Sequence, residues 1–539
     1  MSGAAPGALP DPTVPRPLAG LIARLGGEGR LRGTRLDGRA VGSGALAAVT
    51  VSGVTHDSRS VGPGNVFVAV PGEHVDGHEF AAAAVAQGAA ALIVERPLPD
   101  LAAAQLVVDA ARPALASAAA WWFGDPSHHL TVVGITGTDG KTTTAYLAVA
   151  GLEAAGRRAG MIGTIATRVG GRTEAHEAHA TTPEAPELQA TLRAMVDAGD
   201  DVAIIETTSH GLALDRVASV AYDVAILTNL THEHLELHGT WEAYRDAKLS
   251  LFERLRATRH VRKPGAVPAA AIVNIDDPSA GVFIGTARDA GASVLTYGTE
   301  AAADVRATRI TEDANGLRVD IEAPGDTGTL QVRLAGRFNA HNALAVVALG
   351  EVLGSDPAAV RAGLASVEGV PGRMERIDAG QPFDVIVDYA HSPASLAAVL
   401  DLLAPGAAAR GGGLIAVFGS AGERDVEKRP QMGRIAGERC RLVVVTDEDP
   451  RGEDRERILD EIAQGAERVG RRRGHDLLLI ADRRAAIEAA FEAARPADVV
   501  LLAGKGHEQS IIGPDGPVPW DESSVARDVL ASMGHAAPA

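Results

Sequence analysis

The chain has 539 residues, 46% of them hydrophobic and 22% charged, which is typical of a globular protein too long for a single core. A net charge of −18 and an aromatic content of 3% argue against binding nucleic acid or anionic lipid through bulk charge or base stacking. The single cysteine, Cys440, excludes a disulfide framework and a thiolate metal cluster.

The chain begins with a Pro-, Gly- and Ala-rich stretch, residues 1–16, which we predict to be a disordered tail. The sequence contains no charged-then-apolar leader and no apolar run of about 18 residues or more. We therefore expect a cytoplasmic protein without membrane insertion.

Strand-like apolar runs alternate with Ala-rich helical segments along most of the chain, which predicts an α/β fold with parallel-rich sheets. The predicted strands are LTVVGIT (130–136), VAIIET (202–207), VAILTNL (224–230), FDVIVDY (383–389), LIAVFGS (414–420), LVVVTD (442–447) and VVLLAGK (499–505). Predicted helices between them include TTTAYLAVAGLEAAG (142–156), PASLAAVLDLLAPG (393–406) and RRAAIEAAFEAA (483–494).

Two turn-rich breaks, WWFGDPSHH (121–129) and VEGVPGRME (367–375), precede new series of strands. They predict three domains, with residues 1–127, 128–367 and 368–539.

The segment GITGTDGKTTT, residues 134–144, follows an apolar strand and opens a helix, as a phosphate loop does. Its glycines let backbone amides approach phosphate oxygens, and a helix N-terminus favours anions. Lys141 would reach the β- and γ-phosphates of a bound nucleotide, and the Thr142 hydroxyl would bind Mg²⁺. The spacing of Gly134 and Gly137 departs from GxxxxGK[ST], and a Gly-rich turn with a surface lysine is the alternative.

The segment ETTSHGLALDRV, residues 206–217, begins at the C-terminal end of a predicted strand. Ligands bind at this edge of open parallel sheets. Glu206 is therefore a candidate Mg²⁺ ligand, and Ser209 and Arg216 are candidate contacts for a phosphate or carboxylate. A helix-capping Thr/Ser cluster is the alternative.

The segment TNLTHEHLELHGTWEAYRDAKLSLF, residues 228–252, concentrates histidines and glutamates ahead of an amphipathic helix. His234 is a candidate metal ligand, and Lys248 lies on the helix. A polar loop beside a solvated helix face is the alternative.

Eight ordered motifs together make the chain resemble the Mur ligases, and among them the UDP-MurNAc-tripeptide synthetase (MurE) branch. They are TGTDGKTTT, ETTSH, HEHLELHG with YRDAK, AGRFNAHN, PGRME, DYAHSP, RDVEKRP and AGKGHE. The resemblance implies a uridine-nucleotide-binding N-terminal domain, a central P-loop ATPase domain and a Rossmann-like C-terminal domain that binds an amino acid. It also implies a monomer that uses ATP to add a diamino acid to UDP-MurNAc-L-Ala-D-Glu.

The resemblance further implies residue roles. The expected ATP contacts are Gly137, Thr138, Asp139, Gly140, Lys141, Thr142, Thr143, Asn339, His341, Asn342, Arg373, Asp388, Tyr389 and His391. The expected UDP-MurNAc-dipeptide contacts are Ser58, Arg59, Thr181, Thr182, Ser209 and Arg216. The expected magnesium ligands are Thr142, Glu206, His234 and Lys248, where CO₂ would convert Lys248 to a carbamate. The catalytic set would be Lys141, Lys248, Glu206 and His234.

The amino-acid pocket is expected where the strand LVVVTD ends, around EDPR (448–451). In diaminopimelate-adding members a DNPR motif binds the second amino-acid centre, and its Arg pairs with the distal carboxylate that lysine and ornithine lack. Arg451 therefore favours meso-2,6-diaminopimelate. Asp449 in place of Asn favours an ammonium, so L-lysine and L-ornithine stay as alternatives. The implied contacts are Arg424, Asp449, Pro450, Arg451, Gly504 and Glu508.

The implied reaction phosphorylates the D-Glu γ-carboxylate, and the amine of the diamino acid attacks the resulting acyl phosphate. Catalysis would rest mainly on positioning and electrostatic stabilisation. A folylpolyglutamate synthetase is one alternative, which the N-terminal DSR…PG…FVA segment disfavours. A non-catalytic paralogue that binds the nucleotide sugar is another, which the intact Gly140-Lys141-Thr142 sequence disfavours.

Overall fold

The computed structural model describes residues 9–72, 75–175, 180–231, 238–258, 263, 267–313 and 316–535. The chain forms two compact units. The first extends to Ile310 and includes Val319–Leu330 and Ala340–Leu364, and the second contains Thr311–Arg318, Gln331–Asn339 and the residues from Ala365 onward.

The first unit begins with a mixed sheet. Its strands are β2 (Leu31–Leu36), β3 (Arg39–Val41), β5 (Gly53–Thr55), β6 (Asn65–Val68), β7 (Ala91–Val94) and β8 (Ala104–Val108), while β1 (Arg16–Pro17) pairs separately with β4 (Thr50–Val51). The strand order is β3-β2-β8-β7-β6-β5, and β5 to β8 are parallel. The helices here are α1 (Ala19–Gly27), α2 (Ala81–Ala86) and α3 (Ala111–Phe123). Apolar faces of α1 and α3 pack with this sheet into one buried core.

Residues 9–16 are anchored, although the sequence predicts a disordered tail over residues 1–16. The Arg16 guanidinium lies 4.8 Å from the ring centroid of Trp122, and its Nη1 donates to the Trp121 carbonyl at 2.9 Å. Arg193 Nη1 donates to the Pro10 carbonyl at 2.5 Å. These cation–π and carbonyl contacts come from residues far away in sequence, so composition alone does not predict them. Residues 1–8 lie outside the described residues.

Most of a larger sheet of eleven strands belongs to the same unit. They are β9 (Thr131–Thr136), β10 (Ala159–Ile162), β11 (Ala166–Val169), β12 (Arg172–Ala175), β13 (Val202–Glu206), β14 (Val224–Leu227), β15 (Ala270–Asn274), β16 (Ser293–Gly298), β17 (Val305–Asp313), β18 (Gly316–Ala323) and β19 (Asp326–Val332). The order is β12-β11-β10-β13-β9-β14-β15-β16-β17-β18-β19. The helices are α4 (Lys141–Ala154), α5 (Ala185–Ala198), α6 (Ser209–Ala213), α7 (Trp241–Glu253), α8 (Leu255–Thr258), α9 (Ala280–Asp289), α10 (Phe338–Leu353) and α11 (Pro357–Ser366).

The central strands of this sheet are parallel and buried. From β10 through β13, β9, β14 and β15 to β16 each strand pairs in parallel with the next, whereas β10 pairs antiparallel with β11. Every residue of β9, β13, β14 and β15 is buried. Continuous apolar strands of this kind are expected when helices cover both faces of a sheet. The three strands predicted between 130 and 230 are confirmed.

The second unit is built on a six-stranded sheet. Its strands are β20 (Glu375–Ile377), β21 (Asp384–Asp388), β22 (Leu414–Phe418), β23 (Leu442–Val445), β24 (Leu477–Leu479) and β25 (Val499–Ala503), in the order β20-β21-β25-β22-β23-β24. A hairpin of β26 (Ser510–Gly513) and β27 (Gly516–Pro519) follows. The helices are α12 (Pro393–Ala409), α13 (Lys428–Arg439), α14 (Arg455–Glu467), α15 (Arg483–Ala493) and α16 (Glu522–Ser532).

The strands and helices predicted for this unit are confirmed, with one difference at α12. This helix begins at a capping box of Ser392 and Ser395 and includes Pro405, so it ends later than predicted, at Ala409. From β21 through β25, β22 and β23 to β24 each strand pairs in parallel with the next, whereas β20 pairs antiparallel with β21. This confirms the α/β fold class with parallel-rich sheets. None of the described helices is long and apolar enough to cross a membrane.

Candidate active site

Polar side chains of the first unit gather at the carboxyl edge of the large sheet. Because β10, β13, β9, β14 and β15 are parallel, the segments that follow them meet at one edge, where ligands bind in open α/β sheets. These segments supply Thr164 after β10, Glu206 at the end of β13, the 137–140 loop after β9, Thr228 and Asn229 after β14, and Asp276 after β15.

The loop from Gly137 to Gly140 has the tight geometry of a phosphate loop. Gly137 has φ 148°, and a Cβ there would lie 1.9 Å from Thr228 Oγ1. Gly140 has φ 83°, and a Cβ there would lie 2.4 Å from Asn342 Oδ1. Only glycine combines these backbone angles with such close approach.

Hydrogen bonds fix the same loop. Asn229 Oδ1 accepts from the Asp139 amide at 2.9 Å, and Thr228 Oγ1 donates to the Asp139 carbonyl at 2.6 Å. Lys141 Nζ donates to the carbonyls of Gly137 at 2.9 Å and Thr138 at 2.7 Å. The lysine ammonium therefore lies over the loop at the start of α4.

Glu206 is the buried centre of the site, with a side chain inaccessible to solvent. Its Oε2 accepts from the hydroxyls of Thr142 and Thr164, both at 2.8 Å, and its Oε1 accepts from the Thr164 amide at 2.9 Å. A carboxylate and a hydroxyl held together are the oxygen ligands that Mg²⁺ prefers, so the predicted pair of Thr142 and Glu206 fits this metal.

Lys248 is buried beside the loop, with 1% of its surface exposed. Its Nζ donates to the Gly137 carbonyl at 2.8 Å and lies 4.5 Å from the ring centroid of Tyr244. As an ammonium this group is a donor and not a metal ligand, so its predicted metal role requires the carbamate. His234, the remaining predicted ligand, lies outside the described residues.

The residues predicted to hold the UDP-MurNAc-dipeptide connect to Glu206. The Oγ1 atoms of Thr164 and Thr181 lie 3.1 Å apart, within hydrogen-bond distance, and Thr182 Oγ1 donates to the Glu206 carbonyl at 2.8 Å. Arg216 Nη1 donates to the Thr182 carbonyl at 2.9 Å. Ser209, the first residue of α6, is buried on the same stretch of chain. The phosphate loop and this cluster thus share one buried carboxylate.

Ser58 and Arg59 are separate from this cluster. They lie in a short 3₁₀ turn beside the N-terminal sheet, where the Arg59 guanidinium makes two 2.9 Å hydrogen bonds to Asp57. The Arg59 side chain is 88% exposed.

Two predicted adenine-side residues are held in the first unit. His341 Nε2 lies 2.8 Å from Asp276 Oδ2, which also accepts from Thr299. Asn342 accepts from Thr144 Oγ1 at 3.3 Å and packs against Gly140. Both are therefore positioned by groups at the carboxyl edge of the sheet or on α4.

The remaining predicted nucleotide contacts belong to the second unit. The Arg373 guanidinium lies 4.7 Å from the Tyr389 ring centroid, and His391 Nδ1 lies 3.0 Å from the Tyr389 carbonyl. Asp388 accepts from the amides of Met374 and Ala390, both at 2.8 Å. These bonds fix the chain just before β20 and just after β21. Asn339 also belongs to the second unit, although α10, the helix that contains it, continues into the first. Its side chain donates to the Ala335 carbonyl at 2.7 Å.

The predicted amino-acid contacts surround a buried lysine. Lys505 Nζ donates to Asp449 Oδ1 at 2.8 Å and to Glu508 Oε2 at 2.5 Å. Asp449 Oδ1 also accepts from the Ile512 amide at 2.9 Å. The charge of Asp449, which the sequence leaves open to a substrate ammonium, is therefore paired inside the protein. The other contacts are Pro450, Gly504, whose φ is 99°, and the exposed Arg424.

Arg451 has a strained backbone, with φ 54°. Its amide donates to the Ile512 carbonyl at 2.8 Å, which holds this conformation against a cost of about 1–3 kcal/mol. Its Nε is buried without a hydrogen-bond partner in the described part of the chain. Strain and an unsatisfied donor of this kind occur together at ligand sites.

Burial controls the protonation of the neighbouring groups. Burial lowers the pKa of His507 to about 3, and the charges of Arg373 and Lys505 act in the same direction, so this imidazole is neutral at pH 7. Burial raises the pKa of Glu508, while Lys505 opposes that rise. Burial and the charge of Glu508 raise the pKa of Tyr389.

Sequence reasoning missed several residues that hold the site together. Thr164 and Asp276 belong to no recognised motif, and Asn229, within the 228–252 segment, has no predicted role, yet each follows an observed parallel strand. That position is a usable signal, because polar residues at the carboxyl ends of such strands converge. Lys505 lies within the AGKGHE motif but was given no role.

The site contains a glycine loop between a parallel strand and a helix, with lysine and threonine at the start of the helix. This arrangement is typical of P-loop α/β enzymes, which bind a nucleoside triphosphate. Three domain families match the chain in order. They are the Mur ligase family catalytic domain (50–120), the Mur ligase middle domain (135–350) and the Mur ligase glutamate ligase domain (372–506). The chain belongs to the Mur ligase family, whose members are ATP-dependent ligases that form peptide bonds in peptidoglycan precursor synthesis.

Relatives align over nearly their whole length. A UDP-N-acetylmuramyl-tripeptide synthetase of Roseiflexus sp. is 47% identical over 489 residues, which is 90% of this chain and 95% of that protein. A UDP-N-acetylmuramoyl-L-alanyl-D-glutamate–2,6-diaminopimelate ligase of Solibacter usitatus is 41% identical over 91% of this chain and 95% of its own. A tripeptide synthetase of Deinococcus radiodurans is 42% identical over 89% and 95%.

Solved structures show the same architecture. A structure of a UDP-N-acetylmuramoyl-L-alanyl-D-glutamate–2,6-diaminopimelate ligase matches with a TM-score of 0.61 and 29% identity, covering 91% of this chain and 96% of that one. A MurF structure from Acinetobacter baumannii matches with a TM-score of 0.64 at 21% identity, which shows the fold alone.

Proposed function

We propose that this protein is an ATP-dependent ligase that adds meso-2,6-diaminopimelate to the D-Glu γ-carboxylate of UDP-MurNAc-L-Ala-D-Glu. The observation that carries the proposal is the buried Glu206 carboxylate, which links Thr142 of the phosphate loop to Thr164 and thence to Thr181. A phosphate donor and a carboxylate acceptor must meet for an acyl phosphate to form. One hydrogen-bonded cluster that contains both sets of predicted contacts is suited to that step.

In this mechanism the chain mainly positions charged groups. The loop amides and Lys141 neutralise the charge that develops on the transferred phosphoryl group. Arg216, Thr181, Thr182 and Ser209 hold the dipeptide so that its γ-carboxylate faces the γ-phosphate. The amine of the diamino acid then attacks the acyl carbon, and phosphate leaves.

Thr142, Glu206, His234 and carbamylated Lys248 would hold magnesium, which would supply positive charge to neutralise the phosphate oxygens. Lys248 has the surroundings for carbamylation, because it is buried beside the phosphate loop, with its Nζ 2.8 Å from the Gly137 carbonyl and 4.5 Å from the ring centroid of Tyr244. We expect Lys248→Ala to lose most activity and to regain part of it with added short carboxylic acids, as measured by phosphate release. If Lys248→Ala loses most activity and the added carboxylic acids restore none of it, the proposed carbamate is contradicted.

Diaminopimelate is preferred over L-lysine and L-ornithine for two reasons. Arg451 is available to a distal carboxylate, and the charge of Asp449 is paired with Lys505. The 2,6-diaminopimelate ligases of Solibacter usitatus and Geobacter metallireducens, each 41% identical, support the same choice. We further propose a cytoplasmic monomer with small-molecule substrates and no nucleic acid partner.

The test is a product assay with the purified protein. It is incubated with UDP-MurNAc-L-Ala-D-Glu, Mg-ATP and meso-diaminopimelate, L-lysine or L-ornithine in turn, and the products are identified by mass. We expect the diaminopimelate tripeptide as the main product. Exclusive use of lysine or ornithine would refute the amino-acid specificity, and no product with any of the three would refute the ligase.

A further inference from the structure

A fully buried arginine binds both segments of chain that carry proposed amino-acid contacts at the ends of β23 and β25. Arg483 is the first residue of α15, and its side chain has no exposed surface. A cation is unfavourable here for two reasons, because burial removes its hydration and a helix N-terminus repels positive charge. A residue that breaks local rules in this way is expected to serve a functional site.

One edge of the Arg483 guanidinium forms an ion pair. Its Nε donates to the two carboxylate oxygens of Glu522 at 3.1 and 2.9 Å, and its Nη2 donates to the same carboxylate at 2.7 Å. Glu522 is equally buried at the start of α16, and its Oε2 also accepts from Trp520 Nε1 at 2.6 Å. The ion pair leaves the Nη1–Nη2 edge of the guanidinium for other acceptors.

That second edge binds backbone on two separate segments. Nη1 of Arg483 donates to the Asp447 carbonyl at 2.8 Å, and Nη2 donates to the Ala503 carbonyl at 2.7 Å. Asp447 immediately precedes the EDPR segment (448–451), and Ala503 immediately precedes Gly504. Strands β23 and β25 do not pair with each other, because β22 lies between them in the sheet. One guanidinium therefore joins two segments that the sheet does not join directly.

The charge of Arg483 acts on the same region. Burial lowers the pKa of Arg483, but the charges of Glu522, Glu448 and Glu508 outweigh burial and raise this pKa above its ordinary value. The arginine therefore stays charged, and it offsets carboxylates that belong to both segments.

Stability alone does not account for the Arg483–Glu522 pair. A buried ion pair is often no more stabilising than apolar side chains of similar volume. Apolar side chains would not bind the two carbonyls, and a lysine has no planar fork to bind both of them beside Glu522. The distinctive contribution of the guanidinium is the fixed geometry that it gives to the two segments.

We propose that Arg483 is a positioning residue of the amino-acid site. Its guanidinium holds the Asp447 and Ala503 carbonyls at one spacing, and this spacing sets the separation of the two segments that bind the incoming diamino acid. The inference rests on the proposed function. Loss of the fork weakens binding of the amino acid, whereas the predicted contacts for ATP and for UDP-MurNAc-L-Ala-D-Glu lie on other segments.

The experiment compares the Michaelis constants of three substrates in four proteins. The proteins are wild type, Arg483→Lys, the double variant Arg483→Met/Glu522→Met and the control Arg484→Lys. Arg484 is the next residue of the same helix, and it forms an exposed pair with Glu488. Arg483→Lys keeps the charge beside Glu522 without the fork. The double variant removes the fork and leaves neither member of the ion pair buried without its partner.

We expect KM for the diamino acid that wild type uses to rise about 10- to 100-fold in both Arg483 variants, because a misplacement of about 1 Å has effects of this size. KM for ATP, KM for UDP-MurNAc-L-Ala-D-Glu and kcat at saturating amino acid should stay within about threefold of wild type. Arg484→Lys should match wild type in every constant.

KM does not depend on the fraction of folded enzyme, so partial unfolding cannot imitate the expected result. An unchanged KM for the amino acid, or an equal rise of all three KM values, would overturn the positioning role of Arg483. A double variant that fails to fold would also overturn it, because the pair would then be required for the fold itself. No tripeptide product from wild type with diaminopimelate, lysine or ornithine would instead overturn the proposed function.

Discussion

At the scale of single residues, Asp449 illustrates how a structure changes the meaning of a motif. In sequence its carboxylate stands where the diaminopimelate-adding pattern has an amide, which favours an ammonium ligand. In the structure the buried Lys505 ammonium and the Ile512 amide already occupy Asp449 Oδ1. An aspartate in place of asparagine at position 449 therefore changes the charge balance inside the protein, and not only the charge that a substrate would meet.

We predict that Asp449→Asn lowers stability more than it lowers activity. It replaces the carboxylate that pairs with the buried Lys505 ammonium by a neutral acceptor, so the free energy of unfolding of this unit should fall by about 1.5–3 kcal/mol. Glu508 still binds Lys505, so kcat/KM for diaminopimelate should stay within about tenfold of wild type. Urea denaturation and steady-state kinetics measure the two effects.

The control for this variant is Asp515→Asn, an exposed position in the turn between β26 and β27. Surface substitutions of this kind change stability by about 0.5 kcal/mol or less. A loss of diaminopimelate activity far beyond tenfold in Asp449→Asn, with stability unchanged, would show that Asp449 contacts the substrate directly.

At the scale of elements, one buried arginine joins α13 and α14 to the loops of the proposed amino-acid pocket. Arg429, near the start of α13, has a fully buried side chain and binds Glu453 at 2.8 Å and Glu461 at 2.7 Å. Its Nη2 also donates to the Ala421 carbonyl, and Glu453 accepts from the Glu423 amide. The segments that carry Arg424 and Arg451 therefore share one anchor.

We predict that Arg429→Met destabilises the second unit by on the order of 3 kcal/mol, because Glu453 loses its salt-bridge partner and Glu461 keeps only its pair with Arg457. The matched control on the same helix is Arg434→Met. Arg434 forms an exposed pair with Glu438, which is worth about 0.5 kcal/mol. Urea midpoints that fall equally in both variants would contradict a special role for Arg429.

The same anchor predicts how stability depends on pH. The hydrogen bond from Arg429 lowers the pKa of Glu453 to about 2, below the value of about 4.3 for an unfolded glutamate. Because the folded pKa is the lower one, this stabilisation is complete above the unfolded pKa and is lost as pH falls toward about 2. Arg429→Met should therefore show a shallower loss of stability between pH 5 and pH 3 than wild type, measured from urea midpoints. Parallel curves would refute this linkage.

At the scale of the whole molecule, the sequence predicts the parts better than their contacts. Runs such as VVLLA and LVVV identify buried parallel strands because every side chain is apolar, and Gly140-Lys141-Thr142 identifies the phosphate loop because its chemistry is local. His341 and Asp276 are 65 residues apart in sequence, and Thr142 and Glu206 are 64 apart. Such partners depend on the strand order, which short-range patterns do not encode.

The same reasoning explains why the order of residues 9–16, before α1, was not predicted from the sequence. Its composition resembles a flexible tail, and only the position of Trp121 and Trp122 on α3 provides a surface for Arg16. Local composition reports the entropy of a segment, whereas its order depends on contacts supplied by distant residues.

A last prediction concerns how the molecule responds to nucleotide. A ligand that binds only the folded state stabilises it by about 2.7 kcal/mol at a hundred times its dissociation constant. A non-hydrolysable ATP analogue with Mg²⁺ should therefore raise the melting temperature of wild type by several degrees, as measured by thermal denaturation.

Lys141→Ala should lose most of this rise, because the Lys141 ammonium is the predicted phosphate contact of the loop. The melting temperature of this variant without ligand should change little. Arg172→Ala, on the exposed β12, is the control and should respond as wild type does. If the analogue stabilised Lys141→Ala fully, the nucleotide would have to bind elsewhere than the loop from Gly137 to Gly140.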